Sequence, residues 1–350
     1  MNKLNKGFLQ IDEDGFLCSG EKRITTRETG ASALKALRIS DERTLKTDYI
    51  RRGTKSEVII EAFDEPYVAA QVAYEDSSWW IFLPYNVKFR FDLHSLSIDE
   101  WDRFHGYAEN GIPFVLTKKA QAEFFKLLEA FDDESITWHG EKVSTPPYWP
   151  NHTVVKDEKY WDDIYKTETK PGWDLNDAAE ALKDMLPRLK MPRCRVLVLG
   201  CGEGHDAAFF AQNGHIVTGV DISPEAITRA QDRYSPYGNL KFIKADIFNL
   251  PKAWTHSFDL VFEHTCYCAI NPADRRQLVK IWTQLLSPRG QLMGIFFTME
   301  KRTGPPFGGT EWELRKRLQN KFSFLFWGRW QASLPRRQGR ELFVLAQKKD

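Results

Sequence analysis

Three glycines spaced two residues apart carry the clearest chemical signal in this chain of 350 residues. Gly200, Gly202 and Gly204 follow the apolar run 195–199, whose Val and Leu content is typical of a strand buried on both faces. Glycine lets the backbone turn sharply and approach a ligand closely. Asp221 ends the next apolar run, where a carboxylate can accept hydrogen bonds from the two hydroxyls of a ribose. These residues predict a nucleoside-binding strand–turn–helix–strand unit.

The spacing of the glycines discriminates between cofactor classes. A dinucleotide fingerprint needs its third glycine at position 205, where this chain has His205, and Gly204 comes one residue earlier. A G-x-G-x-G turn suits S-adenosylmethionine (SAM), which has no pyrophosphate to cradle. The residues therefore favour SAM over a nicotinamide cofactor. A tight turn without a ligand, with Asp221 in the N-cap region of the next helix, is the alternative that the pattern leaves open.

Apolar runs alternate with helical segments through the second half of the chain. This alternation predicts an α/β fold with a Rossmann-like, doubly wound, mostly parallel seven-stranded sheet. Asp246 and Ile247 follow the third run, where a carboxylate and a backbone amide could hold an adenine edge, although an acid in a plain loop explains this segment equally well. The predicted strands are 195–199, 215–220, 240–244, 258–263, 291–297, 322–326 and 342–346.

Four segments of this half resemble one branch of the class I SAM-dependent methyltransferases. The branch is the thiopurine S-methyltransferase family with its thiol, thiocyanate and halide relatives, and the resemblance spans residues 158–347. The third and fourth segments together are specific to this branch, whereas the second is shared by many methyltransferases. The segments are a tryptophan-rich lead-in at 160–174, the glycine turn and acid at 199–223, the stretch 258–275, and Gly304-Pro-Pro-Phe307.

The resemblance implies SAM as the cofactor and S-adenosylhomocysteine as the product. Trp161, Tyr165 and Trp173 match aromatic positions that close over SAM, where a ring face attracts a cation by about 0.5–2 kcal/mol. Packing of a helix against the sheet is the other explanation for these aromatic residues. The remaining implied cofactor contacts are Gly200, Cys201, Gly202, Asp221, Ile222, Asp246, Ile247 and Glu263.

Two residues after the fourth predicted strand are the candidates for catalysis. By the resemblance, His264 stands where thiopurine enzymes have arginine and where halide and thiocyanate enzymes have an aromatic residue, so the acceptor stays open. We expect its imidazole to take a thiol proton or to hold an anion. A histidine that bonds the backbone at a strand end is the alternative. Tyr267 is the second catalytic candidate.

The expected reaction is an in-line displacement in which a small soft nucleophile takes the methyl group of SAM. The acceptor class is a thiol, thiopurine, sulfide, thiocyanate or halide. Because thiolates and halides need no strong base, we expect alignment and desolvation to supply most of the catalysis. Two alternatives stay open. One is another acceptor, such as tellurite, selenite, an amine or a macromolecule, and the other is a SAM-binding sensor without catalysis.

Net charge and motif content indicate which classes of partner to expect. The formal net charge of +1 gives no overall attraction to nucleic acid or to a membrane surface. Enzymes that methylate a nucleobase commonly carry Asn/Asp-Pro-Pro-Tyr/Phe after the fourth strand, where this chain has Glu263-His-Thr-Cys266. We therefore expect a small-molecule acceptor, with neither nucleic acid nor membrane as a partner.

The cysteines and the apolar runs indicate the compartment. Five cysteines without a repeated spacing argue against a disulfide framework. Cys266 and Cys268 lack a second pair of ligands, so no metal site is expected. The chain has no apolar run long enough to span a membrane, and Met1–Lys6 does not resemble a cleavable leader. These features predict a cytoplasmic protein.

The first part of the chain is predicted to be a separate domain. Residues 1–145 are expected to form a small α+β domain, followed by a linker at 146–157 and the methyltransferase domain at 158–350. They show no resemblance to a family. We expect this domain to bind substrate, to regulate the enzyme or to form a homodimer. Its clearest helical pattern is the amphipathic repeat of Phe124, Leu127, Leu128 and Phe131.

Overall fold

A computed structural model describes most of the chain. The described residues are 8–41, 43–51, 53–149, 153–299 and 301–350. Two predictions involve residues outside this set: the absence of a leader at Met1–Lys6, and positions 150–152 of the expected linker. Within the described ranges, the longest apolar helices are too short or too polar to cross a lipid bilayer.

The chain separates into two compact units. The first comprises Met1–Pro150 together with Thr310–Glu313, and the second comprises Asn151–Gly309 together with Leu314–Asp350. Within the first unit, the hydroxyl of Thr310 donates to a carboxylate oxygen of Asp64 at 3.3 Å. The apolar pattern of the sequence does not predict that residues 310–313 contribute to this unit.

Short strands in small sheets dominate the first unit. Its strands are β1 (Phe8–Ile11), β2 (Leu17–Ser19), β3 (Lys22–Arg23), β4 (Arg38–Ile39), β5 (Leu45–Arg51), β6 (Thr54–Ala62), β7 (Tyr67–Ala69), β8 (Gln71–Glu75), β9 (Ser78–Leu83), β10 (Val87–Phe91), β11 (Ser97–Ile98), β12 (Phe104–Tyr107), β13 (Pro113–Leu116), β14 (Ala130–Phe131), β15 (Ser135–Trp138) and β16 (Glu141–Ser144). The sheet orders are β3-β2-β1-β6-β5-β4, β10-β9-β8, β11-β12-β13-β7 and β14-β15-β16. Most neighbouring strands are antiparallel.

Two α-helices, α1 (Arg27–Lys35) and α2 (Lys118–Leu127), complete the first unit. The predicted helix through Phe131 is too long, because α2 ends at Leu127 and the next residue already has extended backbone. Phe131 lies in β14 with 58% of its surface exposed, and its ring stacks on Phe125. Phe124 alone of the repeat is fully buried in the core. The helical period therefore continues in the sequence past the end of the helix.

The second unit alternates strands with helices. Its strands are β17 (Arg195–Leu199), β18 (Ile216–Asp221), β19 (Leu240–Lys244), β20 (Phe258–His264), β21 (Leu286–Phe297), β22 (Phe322–Arg329) and β23 (Glu341–Lys348). Its helices are α3 (Glu158–Thr167), α4 (Glu180–Leu189), α5 (His205–Gln212), α6 (Pro224–Tyr234), α7 (Arg275–Leu285) and α8 (Glu311–Leu318), the first residues of α8 belonging to the first unit. The hydroxyl of Ser223 caps α6.

The strands of this unit form one sheet in the order β19-β18-β17-β20-β21-β23-β22. Pairs among β17 to β21 are parallel, whereas β23 is antiparallel to both of its neighbours. The predicted Rossmann-like α/β architecture is confirmed, and the sheet is mixed. The chain order reverses between β17 and β20, so the carboxyl ends of these two strands border the crevice where such sheets bind ligands.

Alternate residues of the central strand face two separate helical layers. Val196 and Val198 pack in the core that contains Phe210 of α5. Leu197 and Leu199 pack in the core on the other side, with Trp282 of α7. All four strand side chains are buried, which explains why the run 196–199 is apolar throughout. The helices thus fix the end of β17, where the glycine turn begins.

Candidate active site

The glycine turn joins β17 to α5 and has no room for side chains at two of its positions. Gly200 and Gly202 have φ of +60° and +52°, a left-handed conformation that glycine adopts without strain. A Cβ atom at Gly200 would lie 2.7 Å from Sγ of Cys266, and one at Gly202 would lie 2.9 Å from the hydroxyl of Tyr165. The turn is therefore shaped by close neighbours on two sides.

Asp221 holds this turn from the end of β18. One carboxylate oxygen accepts from the backbone N–H of Gly202 at 2.9 Å, and the other accepts from that of Ser223 at 3.0 Å. Burial raises the pKa of Asp221 even though these hydrogen bonds favour the charged form. A carboxylate offers about four acceptor positions, so acceptor capacity remains for ribose hydroxyls. The predicted residue thus also orders the backbone of the turn.

Three aromatic side chains, which we call the aromatic lead-in, lie together beside the turn. They are Trp161, Tyr165 and Trp173. The indole N–H of Trp173 donates to the hydroxyl of Tyr165 at 3.1 Å, and its ring meets that of Trp161 edge to face at 5.7 Å. Burial raises the pKa of Tyr165 well above its ordinary value, so its hydroxyl stays protonated. The structure therefore brings the three predicted residues together against the glycine turn.

An acid that the sequence analysis missed attaches α3 to the sheet. One carboxylate oxygen of Asp162 accepts from the hydroxyl of Ser223 and from the backbone N–H of Glu225, both at 2.9 Å. These donors lie at the beginning of α6, directly after Asp221. Because Asp162 lies between Trp161 and Tyr165 along the chain, this attachment helps to set the position of the aromatic lead-in.

Two further predicted cofactor residues follow β19. The carboxylate of Asp246 accepts from the backbone N–H of Phe248 at 2.9 Å and from the side-chain amide of Asn249 at 2.6 Å, both in its own loop. Ile247 is buried in the core on the side of α7. These contacts support a local structural role for the Asp246 side chain and leave the adenine contact a prediction.

Glu263 is a buried acid at the carboxyl end of β20, next to Leu199 of β17 in the parallel pairing. One carboxylate oxygen accepts from the backbone N–H of Tyr267 at 2.6 Å. Among the described residues, the other oxygen, Oε2, has no hydrogen-bond partner. Burial raises the pKa of Glu263 to about 7. An unsatisfied buried acceptor is costly unless a ligand supplies the missing donor.

His264 connects two residues that the sequence analysis did not assign to the site. Its Nδ1 lies 2.8 Å from a carboxylate oxygen of Asp206, in the first turn of α5. Its Nε2 lies 3.0 Å from Nη1 of Arg337. Burial alone would raise the pKa of Asp206, but His264 and the backbone N–H of Ala179 lower it below its ordinary value. These partners are 58 and 73 residues away from His264 along the chain, so no local motif could have indicated them.

Tyr267 and the nearby thiols are parts of the core. The Tyr267 ring is 3% exposed and packs against Phe296, and the guanidinium of Arg275 lies over it at 4.4 Å. Burial raises the pKa of Cys268 to about 12 and that of Cys201 well above its ordinary value. These thiols are therefore protonated near neutral pH, which disfavours them as nucleophiles or metal ligands.

One cluster has the spacing of a metal site. Ligand atoms of Asp174, Glu203 and His205 all lie within 4.8 Å of one another. Both carboxylate oxygens of Glu203, however, pair with arginines: Arg229 at 3.0 Å and Arg233 at 2.9 Å. A divalent cation would have to displace these guanidinium groups. The cluster is explained as an ion-pair network that attaches α6 to Glu203 within the glycine turn.

The residues present fit SAM as a ligand of this crevice. The glycine turn lacks side chains where backbone must approach, Asp221 retains acceptor capacity, and the buried Oε2 of Glu263 lacks a donor. Adenosine hydroxyls and the ammonium of a methionine moiety supply such donors, and aromatic faces suit a sulfonium. The polar and aromatic groups of the site thus match the chemistry of the cofactor that the sequence predicts.

Comparisons with known proteins agree with this fit. The profile of the family "Thiopurine S-methyltransferase (TPMT)" matches residues 156–341. Thiocyanate methyltransferase 1 of Arabidopsis thaliana is 33% identical over 160 residues, which cover 44% of this chain and 68% of that protein. Thiopurine S-methyltransferase of Bos taurus is 28% identical over 195 residues, which cover 48% of this chain and 79% of that protein. The matched family segment contains every candidate residue from Trp161 to Tyr267.

Among solved structures, the chain is similar to a 1,6-didemethyltoxoflavin-N1-methyltransferase of Burkholderia thailandensis, determined with bound 1,6-didemethyltoxoflavin and S-adenosylhomocysteine. The TM-score is 0.47 at 21% identity, over 64% of this chain and 99% of that one. A second similar structure is the N-methyltransferase NodS of Bradyrhizobium japonicum with S-adenosylhomocysteine, with a TM-score of 0.44 at 17% identity, over 54% of this chain and 98% of that one.

Proposed function

This chain belongs to the thiopurine S-methyltransferase family, and from that membership we propose that it methylates a small soft nucleophile. The enzyme class is SAM-dependent methyltransferase, with SAM as methyl donor. The proposed acceptors are a thiol, thiopurine, sulfide, thiocyanate or halide. The printed names of the relatives support this range, since they include a thiocyanate, a probable thiol and a thiopurine methyltransferase.

We assign the cofactor contacts by the chemistry of the side chains. Asp221 would accept from the ribose hydroxyls, and Glu263 Oε2 from the ammonium of the methionine part. The backbone of Gly200, Cys201 and Gly202 would lie against the cofactor, because the turn there carries almost no side-chain bulk. The remaining proposed contacts are Ile222, Asp246 and Ile247, with the aromatic lead-in facing the sulfonium.

The observation that carries the choice of a soft acceptor is the environment of His264. Its two ring nitrogens already face a carboxylate and a guanidinium, so neither is free to accept a proton from an acceptor. Bound SAM supplies a methyl group on a sulfonium, which thiolates and halides attack without base catalysis. The chain's residues then need only align the acceptor and exclude water. Packing of Tyr267 in the core supports a structural role for that residue.

An acceptor panel with SAM labelled in its methyl group tests this proposal. We expect turnover with at least one of a thiol, sulfide, thiocyanate, iodide or a thiopurine, and none with RNA or a protein mixture. Turnover only with an amine, tellurite, selenite or a macromolecule would contradict the acceptor class. Binding of SAM without turnover on any acceptor would favour a sensor.

The role of the first unit is a separate proposal, which is homodimer formation. Exposed apolar side chains on this unit support it: Tyr74, Leu127 and Phe131 expose 38%, 36% and 58% of their surface. Sedimentation of the full chain should give twice the mass of 40.7 kDa. A monomer at micromolar concentration would contradict it. We propose the cytoplasm as the compartment, because the five cysteines are free thiols.

A further inference from the structure

One buried guanidinium joins three segments of the second unit. Arg337 is 4% exposed and lies in the turn between β22 and β23. Its Nη1 donates to Nε2 of His264 at 3.0 Å and to a carboxylate oxygen of Glu341 at 3.2 Å. Its Nη2 donates to the backbone carbonyl of Trp173 at 2.8 Å. Arg337 therefore ties the end of β20 and the beginning of β23 to the aromatic lead-in.

The partners of His264 determine where its proton lies. A carboxylate only accepts hydrogen bonds, so the Nδ1 that faces Asp206 must carry the proton. A guanidinium only donates, so the Nε2 that faces Arg337 must present its lone pair. The lone pair that the ring presents at Nε2 therefore already accepts from Arg337. A proton acceptor for catalysis would need that lone pair free.

The connection continues from Arg337 to the glycine turn. Arg337 donates to the backbone carbonyl of Trp173. The indole N–H of the same tryptophan donates to the hydroxyl of Tyr165. A Cβ atom at Gly202 would lie only 2.9 Å from that hydroxyl, so Tyr165 packs directly against the turn. A change at Arg337 can therefore move the aromatic lead-in relative to the turn without touching the turn itself.

We propose that Asp206, His264 and Arg337 form a positioning relay that holds the aromatic lead-in closed beside the cofactor. In this relay His264 is a positioning residue whose task is to present Nε2 to Arg337. The proposal rests on the proposed placement of the lead-in over SAM, and it is independent of which acceptor the enzyme uses. The relay would therefore set the affinity for the cofactor, whereas a histidine that takes a proton would set the rate of methyl transfer.

The first test removes the guanidinium of Arg337 from the relay. Arg337→Gln in the full chain should raise the Kd for SAM, measured by calorimetry, by roughly tenfold, because a charge-assisted hydrogen bond to the lead-in is lost. The value of kcat at saturating SAM should stay within about twofold, since a loss of uniform binding acts on KM. The neighbouring Arg336 is exposed, so Arg336→Gln removes the same charge from the same turn as a matched control. Thermal unfolding verifies that each variant is folded.

Arg337→Lys is the second variant, in case the glutamine variant does not fold. An ammonium keeps the charge but lacks the planar fork that reaches several acceptors at once. We expect it to raise the Kd for SAM by several-fold, less than the glutamine variant. Wild-type affinity for SAM in folded Arg337→Gln and Arg337→Lys would overturn the relay.

The second test separates positioning from proton transfer at His264. A glutamine amide offers one donor and one acceptor, as the neutral imidazole does, but it cannot take a proton at neutral pH. The relay predicts that His264→Ala weakens SAM binding by roughly tenfold and that His264→Gln recovers most of that affinity. A kcat that collapses equally in both variants, with unchanged SAM affinity, would instead establish His264 as a base.

The calorimetry keeps the two proposals distinguishable. Affinity for SAM is measured without an acceptor, so a wrong choice of acceptor leaves the test of the relay intact. If the wild-type chain binds SAM and no acceptor on the panel is methylated, the proposed acceptor class fails while the relay is still decided by the variants. If the variants bind SAM as the wild type does, the relay fails whatever the acceptor.

Discussion

Two histidines, one in each unit, have a carboxylate partner on Nδ1 at similar distances and different partners on Nε2. In the first unit, Nδ1 of His105 lies 3.0 Å from Glu65, and its Nε2 lies 3.0 Å from Asp99. Two carboxylates can only accept, so both ring nitrogens of His105 carry protons and the ring is an imidazolium. His264 in the second unit faces one carboxylate and one guanidinium, so one ring nitrogen meets an acceptor and the other meets a donor. The two histidines therefore differ in the chemistry of the partner at Nε2.

The two histidines also differ in the charged groups around them. Near His105 the acids and bases pair with one another, since Arg103 pairs with Asp64 at 2.5 Å and with Asp99 at 2.8 Å. Burial disfavours a charged imidazole, yet the hydrogen bonds to Asp99 and Glu65 raise the pKa of His105. Burial also acts to raise the pKa of Asp99, but His105 and Arg103 lower it to about 2. The His264 relay, in contrast, leads through Arg337 to the aromatic lead-in. We infer that the first cluster serves stability and the second serves binding.

Removing the imidazolium should have the largest effect on stability. His105→Ala leaves the carboxylates of Glu65 and Asp99 buried without this cation, and breaking such a buried pair costs about 3–5 kcal/mol of unfolding free energy. Urea unfolding of the full chain near neutral pH measures it. The matched control is His94→Ala, because His94 also lies between two carboxylates, Asp92 and Glu141, but on the surface. Equal losses in the two variants would show that burial is not the cause.

Glu263 provides the opposite test in the second unit. This acid is buried, its Oε2 has no hydrogen-bond partner among the residues that the structure describes, and burial raises its pKa from 4.5 to about 7. Since the folded chain holds this proton to higher pH than the unfolded chain does, ionisation lowers stability progressively as the pH rises from about 4.5 to about 7. Glu263→Gln should therefore stabilise the chain at about pH 8, by up to roughly 3 kcal/mol, with little effect at about pH 4.

The control for this measurement is an acid of the first unit. Glu65→Gln removes a charge partner of His105, so it should destabilise the chain under the conditions in which Glu263→Gln stabilises it. Calorimetric melting at the two pH values measures both variants. A loss of stability in Glu263→Gln at about pH 8 would mean that its carboxylate has a compensating partner in the folded chain.

The difference between the units also explains which features were predictable from the sequence. The glycine turn and Asp221 form a local pattern of about twenty residues, and each lies where the pattern places it. The central strand β17 is apolar from Val196 to Leu199 because side chains pack against it on both faces, so its position is evident from composition alone. In the first unit the helical period through Phe131 overestimates α2, since a repeat says nothing about where the backbone leaves the helix.

Contacts between distant residues were not predictable. Arg337 is one of two adjacent arginines in the sequence, and only the fold distinguishes the buried one from its exposed neighbour. Glu65 and His105 are 40 residues apart: Glu65 lies just before β7, and His105 lies in β12 of the same sheet, in which β13 separates β12 from β7. Burial and partner identity, which give these residues their properties, arise only when the sheets form.

The pH dependence of stability sharpens the comparison further. The pKa of His105 is higher in the folded chain than the ordinary value of 6.5, so its contribution is complete below about pH 6.5 and is lost as the pH rises through the folded pKa. Over that range the wild type should lose up to about 1.4 kcal/mol per pH unit from this group. The groups that face the ring are Glu65, Asp99, Arg103 and Tyr148.

The reference for this slope is His105→Gln, which cannot titrate. Subtracting its unfolding free energies from those of the wild type, at matched pH between about 6 and about 9, isolates the histidine from Glu263 and other groups. A difference that does not change with pH would contradict the imidazolium assignment.

The smallest expected change in stability is that of Asp206→Asn, and it tests how the proton on His264 is determined. The amide oxygen can still accept from the backbone N–H of Ala179, so the unfolding free energy should fall by only about 1 kcal/mol. The amide nitrogen, however, would now donate to Nδ1 of His264, which moves the ring proton to Nε2. Two donors, Nε2–H and the guanidinium of Arg337, would then face each other. We therefore expect the Kd for SAM to rise by several-fold, in the same direction as in His264→Ala, despite the small loss of stability. Unchanged SAM affinity in Asp206→Asn would show that Arg337 is held by Glu341 alone and that Asp206 does not belong to the relay.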